Sequence, residues 1–345
     1  MDIVNFVGPN KGDDIIKKNI YIFNDGELRR KDNTFYFETE QGKKYLPIED
    51  IKEIYVFGEV TVSKKFLEYI SQQEILIHFF NYYGYYVGTY YPREHLNSGY
   101  MILKQAEHYL DESRRIIIAK RFVEGSLKNI LNVIRYYNNR GKNLEDIEKH
   151  IQELISSIDE CERVETLMAI EGNIRDIYYK GFDEIIDNED FKFEKRTRRP
   201  PQNYLNTLIS FGNSLLYVLI LSEIYKTHLD PRIGFLHATN FRKFTLNLDI
   251  SEIFKPIIVD RIIFTLIGRN MISTKDFEDN TEGILLKENA RRTFVQEFDN
   301  KLKSTIRHRE LGRNVSYNML IRMELYKLEK HLMEEKEYEP YISRW

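Results

Sequence analysis

The stretch Ile75-Leu76-Ile77-His78-Phe79-Phe80-Asn81-Tyr82-Tyr83-Gly84-Tyr85-Tyr86-Val87-Gly88-Thr89-Tyr90-Tyr91-Pro92 decides how the chain divides. Its first six residues are apolar and aromatic, a run of the length and composition of a buried strand. The aromatic run that follows is broken by Gly84 and Gly88, which reads as a hairpin turning on its glycines. Pro92 closes the region. Upstream the habit is the same. Ile20-Tyr21-Ile22-Phe23 leads into the turn Asn24-Asp25-Gly26. Thr34-Phe35-Tyr36-Phe37 follows Asp32-Asn33, and Lys44 to Pro47 and Ile54 to Gly58 continue the series. Strand-like runs spaced roughly 8–12 residues apart predict a small sandwich or barrel. Only Phe66 to Gln72 reads as a short helix.

Downstream of about Gly99 the hydrophobic period changes from 2 to about 3.6. Ile116, Ala119, Phe122, Val123, Ile130, Leu131 and Ile134 fall on one helix face, and Leu144 to Leu167 repeats the habit. No proline interrupts positions 93 to 199, so long helices are permitted. Arg198-Arg199-Pro200-Pro201 is a break, Leu205 to Tyr225 a strongly apolar helix, and Asp230-Pro231 with Gly234 a turn; helices then run to about Lys336. The predicted fold is α+β: a small β-sandwich-like domain over 1–95, then a larger all-α domain over 96–345.

Composition narrows the function classes. The 345 residues suit about two domains. With 42% apolar residues and Lys+Arg 51 against Asp+Glu 54, a net charge of −3, the chain lacks the signature of intrinsic disorder. One cysteine, Cys161, excludes an intramolecular disulfide framework and a Cys-rich zinc site, and fits a reducing, cytoplasmic compartment. Met1-Asp2-Ile3-Val4-Asn5 does not read as a signal peptide, and the apolar run Leu215 to Leu221 is far short of the roughly 20 residues of a spanning helix, so no membrane span is expected. The 24 tyrosines and 21 phenylalanines suit aromatic strands and, equally, interfaces or nucleic-acid platforms. The near-neutral total conceals polarity. Glu145 to Asp190 holds 15 acidic and 4 basic residues (−11), and Phe191 to Lys243 holds 9 basic and 3 acidic (+6). Solvated helix faces or a polyanion site both give such a pattern.

Three places stand out as candidate chemistry. Glu171 ends the apolar run Leu167-Met168-Ala169-Ile170, His237 ends Gly234-Phe235-Leu236, and Asp249 and Glu252 are three apart on a predicted helix, hence on one face. One histidine with two or three carboxylates is an oxygen-rich set suited to Mg²⁺ or Mn²⁺. Plainer readings stand beside this one. A lone histidine such as His237 is more often a core or capping residue, Asp249 reads as a helix N-cap with Glu252 completing a capping box, and Glu171 as a solvated helix residue. His78, inside a β-run, reads as structural. Cys161, read as part of an acidic helix, is a poor nucleophile. No Walker motif, nucleophile elbow or Rossmann fingerprint is present.

The same residues carry a family resemblance. Glu171-Gly172 with Tyr178, Gly234-Phe235-Leu236-His237, and Leu248-Asp249-Ile250-Ser251-Glu252 through Asp260-Arg261 are similar, in that order, to three motifs of the CRISPR-associated spacer-acquisition endonuclease/integrase family, CRISPR-associated protein one. Arg198 to Pro201 followed by Asn206 to Leu216, the opening Tyr21 to Leu28, and His78 to Gly84 also resemble the family, in the variant found with type I systems, subtype I-B. The resemblance runs from about Lys18 to Trp345; the first 14 residues or so do not match, and Asn213 stands where many members have Tyr. It implies a divalent-metal-dependent DNA endonuclease/integrase that inserts short DNA fragments into a CRISPR array. Glu171, His237 and Glu252 would be the ligands of Mg²⁺ or Mn²⁺, and Asp249 a supporting group or extra ligand. It also implies a homodimer through the β-rich domains, a dimer of CRISPR-associated protein two as partner, double-stranded and branched DNA as substrate, and no membrane. Arg196, Arg198, Arg199, Arg242 and Lys243 are candidate DNA-backbone contacts on charge and position alone. Two other readings remain: a non-catalytic DNA-binding subunit of the same fold, against which the intact Glu171, His237 and Glu252 argue, and an unrelated helical metallohydrolase, against which the +6 segment argues.

Overall fold

The structure is a computed structural model and describes residues 3–4, 17–92, 96, 98–198, 200–239, 244–280, 283–308 and 310–344. Contacts divide the chain into two units, Met1–His95 with Arg291–Asn300, and Leu96–Ala290 with Lys301–Trp345.

The first unit contains β1 (Ile3–Val4), β2 (Lys18–Ile22), β3 (Gly26–Lys31), β4 (Thr34–Thr39), β5 (Gly42–Leu46), β6 (Ile51–Val56), β7 (Val60–Val62), α1 (Lys64–Gln72), β8 (Leu76–Phe80) and β9 (Tyr86–Tyr90). They form two sheets, ordered β1-β2-β6-β8-β9 and β5-β4-β3-β7. Alternation sends Ile20, Ile22, Ile54, Val56 and Ile77 into a core shared with Leu28, Phe35 and Phe37 of the other sheet and Phe66 and Ile70 of α1. The predicted hairpin is present, with β8 and β9 antiparallel and Gly84 at φ +78°, but only Gly84 serves the turn: Gly88 lies inside β9, paired with Phe79. Both sheets are mixed, since β2–β6, β6–β8 and β3–β7 pair in parallel. The opposite face of the larger sheet is aromatic, with ring centroids 4.9 Å apart for Tyr21 and Tyr55 and 4.4 Å for Phe57 and Phe80. The segment Arg291–Asn300 meets this face. Arg292 lies 4.8 Å from the Phe23 ring centroid and donates to Asn24 Oδ1. A segment so distant in sequence was not assigned to this unit from the sequence. His78 is buried and its Nδ1 bonds Thr89 Oγ1 at 2.8 Å, the structural role expected of it.

The second unit is mostly helical: α2 (Gly99–Leu110), α3 (Glu112–Asn138), α4 (Glu145–Ser156), α5 (Val164–Ile186), α6 (Tyr204–Ile224), α7 (Leu246–Phe254), α8 (Arg261–Gly268), α9 (Glu288–Lys303, shared with the segment above) and α10 (Tyr317–Leu332). The expectation of an all-helical domain needs one correction. Two antiparallel ribbons, β10 (Phe277–Asn280) with β11 (Gly283–Leu286) and β12 (Thr305–Arg307) with β13 (Asn314–Ser316), interrupt it. They are two-stranded and three to four residues long, too short for a period-2 pattern to register.

Helix α6 starts where the prolines end, with Asn203 Oδ1 accepting from Asn206 N at 2.8 Å. It is long and apolar enough to cross a membrane by length and composition, but its most apolar window is 83% buried inside the unit, as a core helix is. α3 packs against α7 and α5 and buries the face read from the sequence, including Ala119, Phe122, Val123, Ile130 and Ile134. Cys161 does not sit in a helix. It lies buried in the connection between α4 and α5, its thiol against the Ser157 carbonyl. Between α7 and α8 the residues Pro256–Asp260 form a π-helical turn. A turn of that kind is uncommon and often sits beside a functional site.

Candidate functional site

Residues 171 and 175 are one helical turn apart on α5, so both side chains leave the same face. Arg175 Nε donates to Glu171 Oε1 at 2.9 Å. Its Nη2 donates to Glu252 Oε2, on α7, at 2.5 Å and to Ser126 Oγ, on α3, at 3.3 Å. The other Glu252 oxygen accepts from Lys255 Nζ at 2.5 Å, one turn further along the chain. One guanidinium therefore ties two carboxylates from two helices together, and a second cation closes on Glu252. Burial pushes the Glu252 carboxyl up, but Lys255, Arg175 and His237 outweigh it and hold it at about 2. Burial works against the Lys255 ammonium too, and the Glu252 charge reverses that and raises it.

His237 reaches this cluster from a loop that Asp249 builds. Asp249 is fully buried. Its Oδ2 accepts from Phe235 N at 2.6 Å and Leu236 N at 3.0 Å. Its Oδ1 accepts from His237 N at 2.9 Å and pairs with His237 Nδ1 at 2.7 Å. The approach is close enough to need a glycine: a Cβ on Gly234 would stand 2.7 Å from Asp249 Oδ2 and 2.8 Å from the Thr245 carbonyl carbon. Gly234 N donates to Thr245 Oγ1 at 2.8 Å, and Arg115 Nε, from α3, donates to the Phe235 carbonyl at 2.8 Å. Desolvation lowers the imidazole pKa, and the Asp249 bond and charge raise it further than that, for a net rise. With Nδ1 on Asp249, Nε2 is the nitrogen left for a ligand; among the described residues it has no hydrogen-bond partner.

Asp249 is thus not the helix N-cap that one reading of the sequence made it. It lies inside α7, and with all four contacts taken it is the group that sets the loop and the imidazole rather than an added ligand. Glu171 and Glu252 meet at one guanidinium, and His237 lies within electrostatic reach of Glu252. Among the described residues no three acidic, histidine or cysteine side chains close into a ligand cage. Two carboxylates sharing a buried monocation, with an imidazole oriented by a carboxylate beside them, nevertheless form a donor set that fits a hard divalent ion.

The flanking cations divide. Arg196 donates to Asn206 Oδ1 at 2.9 Å and Ser210 Oγ at 3.1 Å, and to its neighbour's carbonyl. It braces the segment before α6, and burial depresses its pKa. Its guanidinium is part-buried and engaged by these groups. Arg198 is exposed. Arg199, Arg242 and Lys243 lie outside the described residues. Arg175, Lys255 and Ser126 were not singled out in the sequence. A signal for two of them was present, since Arg175 follows Glu171 by four and Lys255 follows Glu252 by three, the spacings that place side chains on one helix face.

Comparison with known proteins gives this constellation its setting. The family model described as CRISPR associated protein Cas1 matches residues 20–300, a span that holds Glu171, Arg175, His237, Asp249 and Glu252. The chain is 59% identical over 330 residues to the CRISPR-associated endonuclease Cas1 2 of Thermodesulfovibrio yellowstonii, covering 96% of this chain and 100% of that one. Its fold superposes on a CAS1 protein from Thermotoga maritima with a TM-score of 0.85 at 48% identity, covering 94% and 99% of the two chains. A casposase bound to integration product shares the fold alone, with a TM-score of 0.83 at 20% identity over 96% of each chain. A family match across most of the chain, near-complete alignment with a relative of such high identity and the same two-part architecture lead to one conclusion: the chain belongs to the CRISPR associated protein Cas1 family.

Proposed function

We propose that the protein is a divalent-metal-dependent DNA endonuclease and integrase of CRISPR spacer acquisition, and that Glu171, Glu252 and Nε2 of His237 would hold its Mg²⁺ or Mn²⁺. The observation that carries this reading is the meeting of Glu171 and Glu252 at one buried cation beside an imidazole that Asp249 orients. When bound, the ion offsets phosphate charge and eases deprotonation of the attacking hydroxyl.

The chain's own groups do the rest. Asp249 fixes Nδ1 and so presents Nε2. Lys255 and Arg175 keep Glu252 ionised at working pH, so the site keeps its anionic donors in a desolvated place. In the reaction a 3′-hydroxyl oxygen forms a bond to phosphorus, the bridging oxygen to the neighbouring nucleotide leaves with the electron pair, and the attacking group's proton goes to solvent. With water as attacker the same geometry cleaves. No covalent protein intermediate is needed, so the lack of a reactive cysteine or serine motif is no obstacle. Exposed Arg198 is a candidate for the DNA backbone. The enzyme works in the cytoplasm as a homodimer formed through the β-rich units, with the small protein Cas2 as partner.

The test is cleavage of a branched DNA in Mg²⁺ and in EDTA, with His237→Ala beside the wild type. Metal-dependent cleavage by the wild type, at least about tenfold lower in the variant, with duplex affinity kept, is the expected result. Equal cleavage by both proteins would remove His237 from the chemistry.

A further inference from the structure

Glu171 and Glu252 are met by two cations, Arg175 and Lys255. The two cations are not equivalent. Of the two carboxylates Lys255 bonds Glu252, through Oε1, and its ammonium also lies 5.1 Å from the Tyr217 ring centroid. Arg175 spans both carboxylates, through Glu171 Oε1 and Glu252 Oε2, and so takes the place between them that a shared ion needs. Its bridge is also incomplete: Nη1 is buried and has no hydrogen-bond partner among the described residues. Its side chain is 11% exposed, so it has no bulk water to complete the set.

We propose that Arg175 is the resident counter-ion of the metal site: it holds Glu171 and Glu252 together in the metal-free protein and must release both when a divalent cation is seated. The inference rests on the reading that those carboxylates and His237 hold the ion. Arg175 is on this view a positioning residue that competes with the metal. It protects two buried carboxylates from mutual repulsion and from being left unpaired. The same contact lowers the apparent metal affinity, because the ion must displace a cation already in hydrogen-bonded contact with its ligands.

The experiment is titration of the full-length protein with Mn²⁺, read by electron paramagnetic resonance as free ion, for the wild type, Arg175→Met, Arg175→Lys and His237→Ala. Thermal unfolding in EDTA accompanies it. Arg175→Met should unfold at lower temperature in EDTA, yet bind Mn²⁺ at least about tenfold more tightly than the wild type. Arg175→Lys, which keeps the charge but cannot fork between two carboxylates, should lie between them. If Arg175→Met folds only when Mn²⁺ is present, the coupling is stronger than stated and the proposal is supported. Unchanged or weaker Mn²⁺ binding in Arg175→Met or, where that variant cannot be measured, in Arg175→Lys overturns the proposal while leaving the metal site intact, provided His237→Ala still weakens binding. If His237→Ala binds Mn²⁺ like the wild type, the underlying site reading fails instead.

Discussion

Asp249 is the residue on which the loop carrying His237 is built. Four contacts from backbone and imidazole converge on its two oxygens, and none is to solvent. Charge-assisted hydrogen bonds of this kind are worth about 1.5–3 kcal/mol each before coupling between them is considered. Asp249→Asn keeps the shape but turns an NH₂ toward N–H donors, leaving two of them unmatched. We expect about 2–4 kcal/mol lower stability and a loss of cleavage of at least about tenfold, because His237 loses the partner that fixes its tautomer. Chemical denaturation and cleavage of branched DNA check both halves; a variant as stable and active as the wild type would show that the loop sets itself. The ligand candidates could be singled out in the sequence, Glu171 and His237 because each is polar after an apolar run and Glu252 because it follows Asp249 by three on one helix face. The support around them was less legible. Asp249 looked equally like an N-cap, and Arg175 looked like any helix arginine until α5, α7 and α3 were placed around it.

At the scale of elements, α9 and α10 meet through an unusual pairing. Lys301, in the last turn of α9, sets its ammonium 3.9 Å from the Tyr317 ring centroid at the start of α10. Burial first, and then the charge of Arg261, lower its pKa to about 8. The sign follows from linkage. The unfolded lysine titrates near 10.4, so between about 8 and 10.4 the unfolded chain binds more protons and stability rises with pH. Below about 8 both states are charged and the folded one carries a constant penalty. Lys301→Met should raise stability at pH 7 by about 1–3 kcal/mol and flatten the rise between pH 8 and 10.4 in denaturation series. A variant that keeps the wild-type slope would assign it to other groups. Most elements were readable because long periodic faces and prolines announce themselves: α3, α6 and the β8–β9 hairpin all fall where the pattern put them. The ribbons β10–β11 and β12–β13 are too short to carry a period. The parallel pairing of β2, β6 and β8 depends on contacts distant in sequence that no local pattern encodes.

For the whole molecule, the β-rich unit carries exposed aromatic and apolar groups at its hairpin, Tyr82 at 61% and Val87 at 63% exposure, with Tyr83 partly exposed beside them. An apolar group of this kind suits a surface shared between copies. We expect a dimer by light scattering at micromolar concentration, and weakening of that dimer by Tyr82→Glu with Val87→Glu. A monomeric wild type would contradict it, and a dimer unaffected by both charges would move the interface elsewhere. The succession of a β-rich part and a mostly helical part was foreseen from the change of hydrophobic period, whereas the grouping of residues 291–300 with the first unit was not, since one stretch of a continuous helix gives no sign of which unit it serves.

If Glu171, His237 and Glu252 hold one divalent ion, anomalous diffraction at the manganese edge from crystals grown with Mn²⁺ will locate it between them. The expected result is a single peak with Glu171, His237 Nε2 and Glu252 at roughly 2.0–2.2 Å, the usual length for such ligands, and the Arg175 guanidinium moved off both carboxylates. A peak at other residues, or no peak with Arg175 still bridging Glu171 and Glu252 at saturating Mn²⁺, would contradict it.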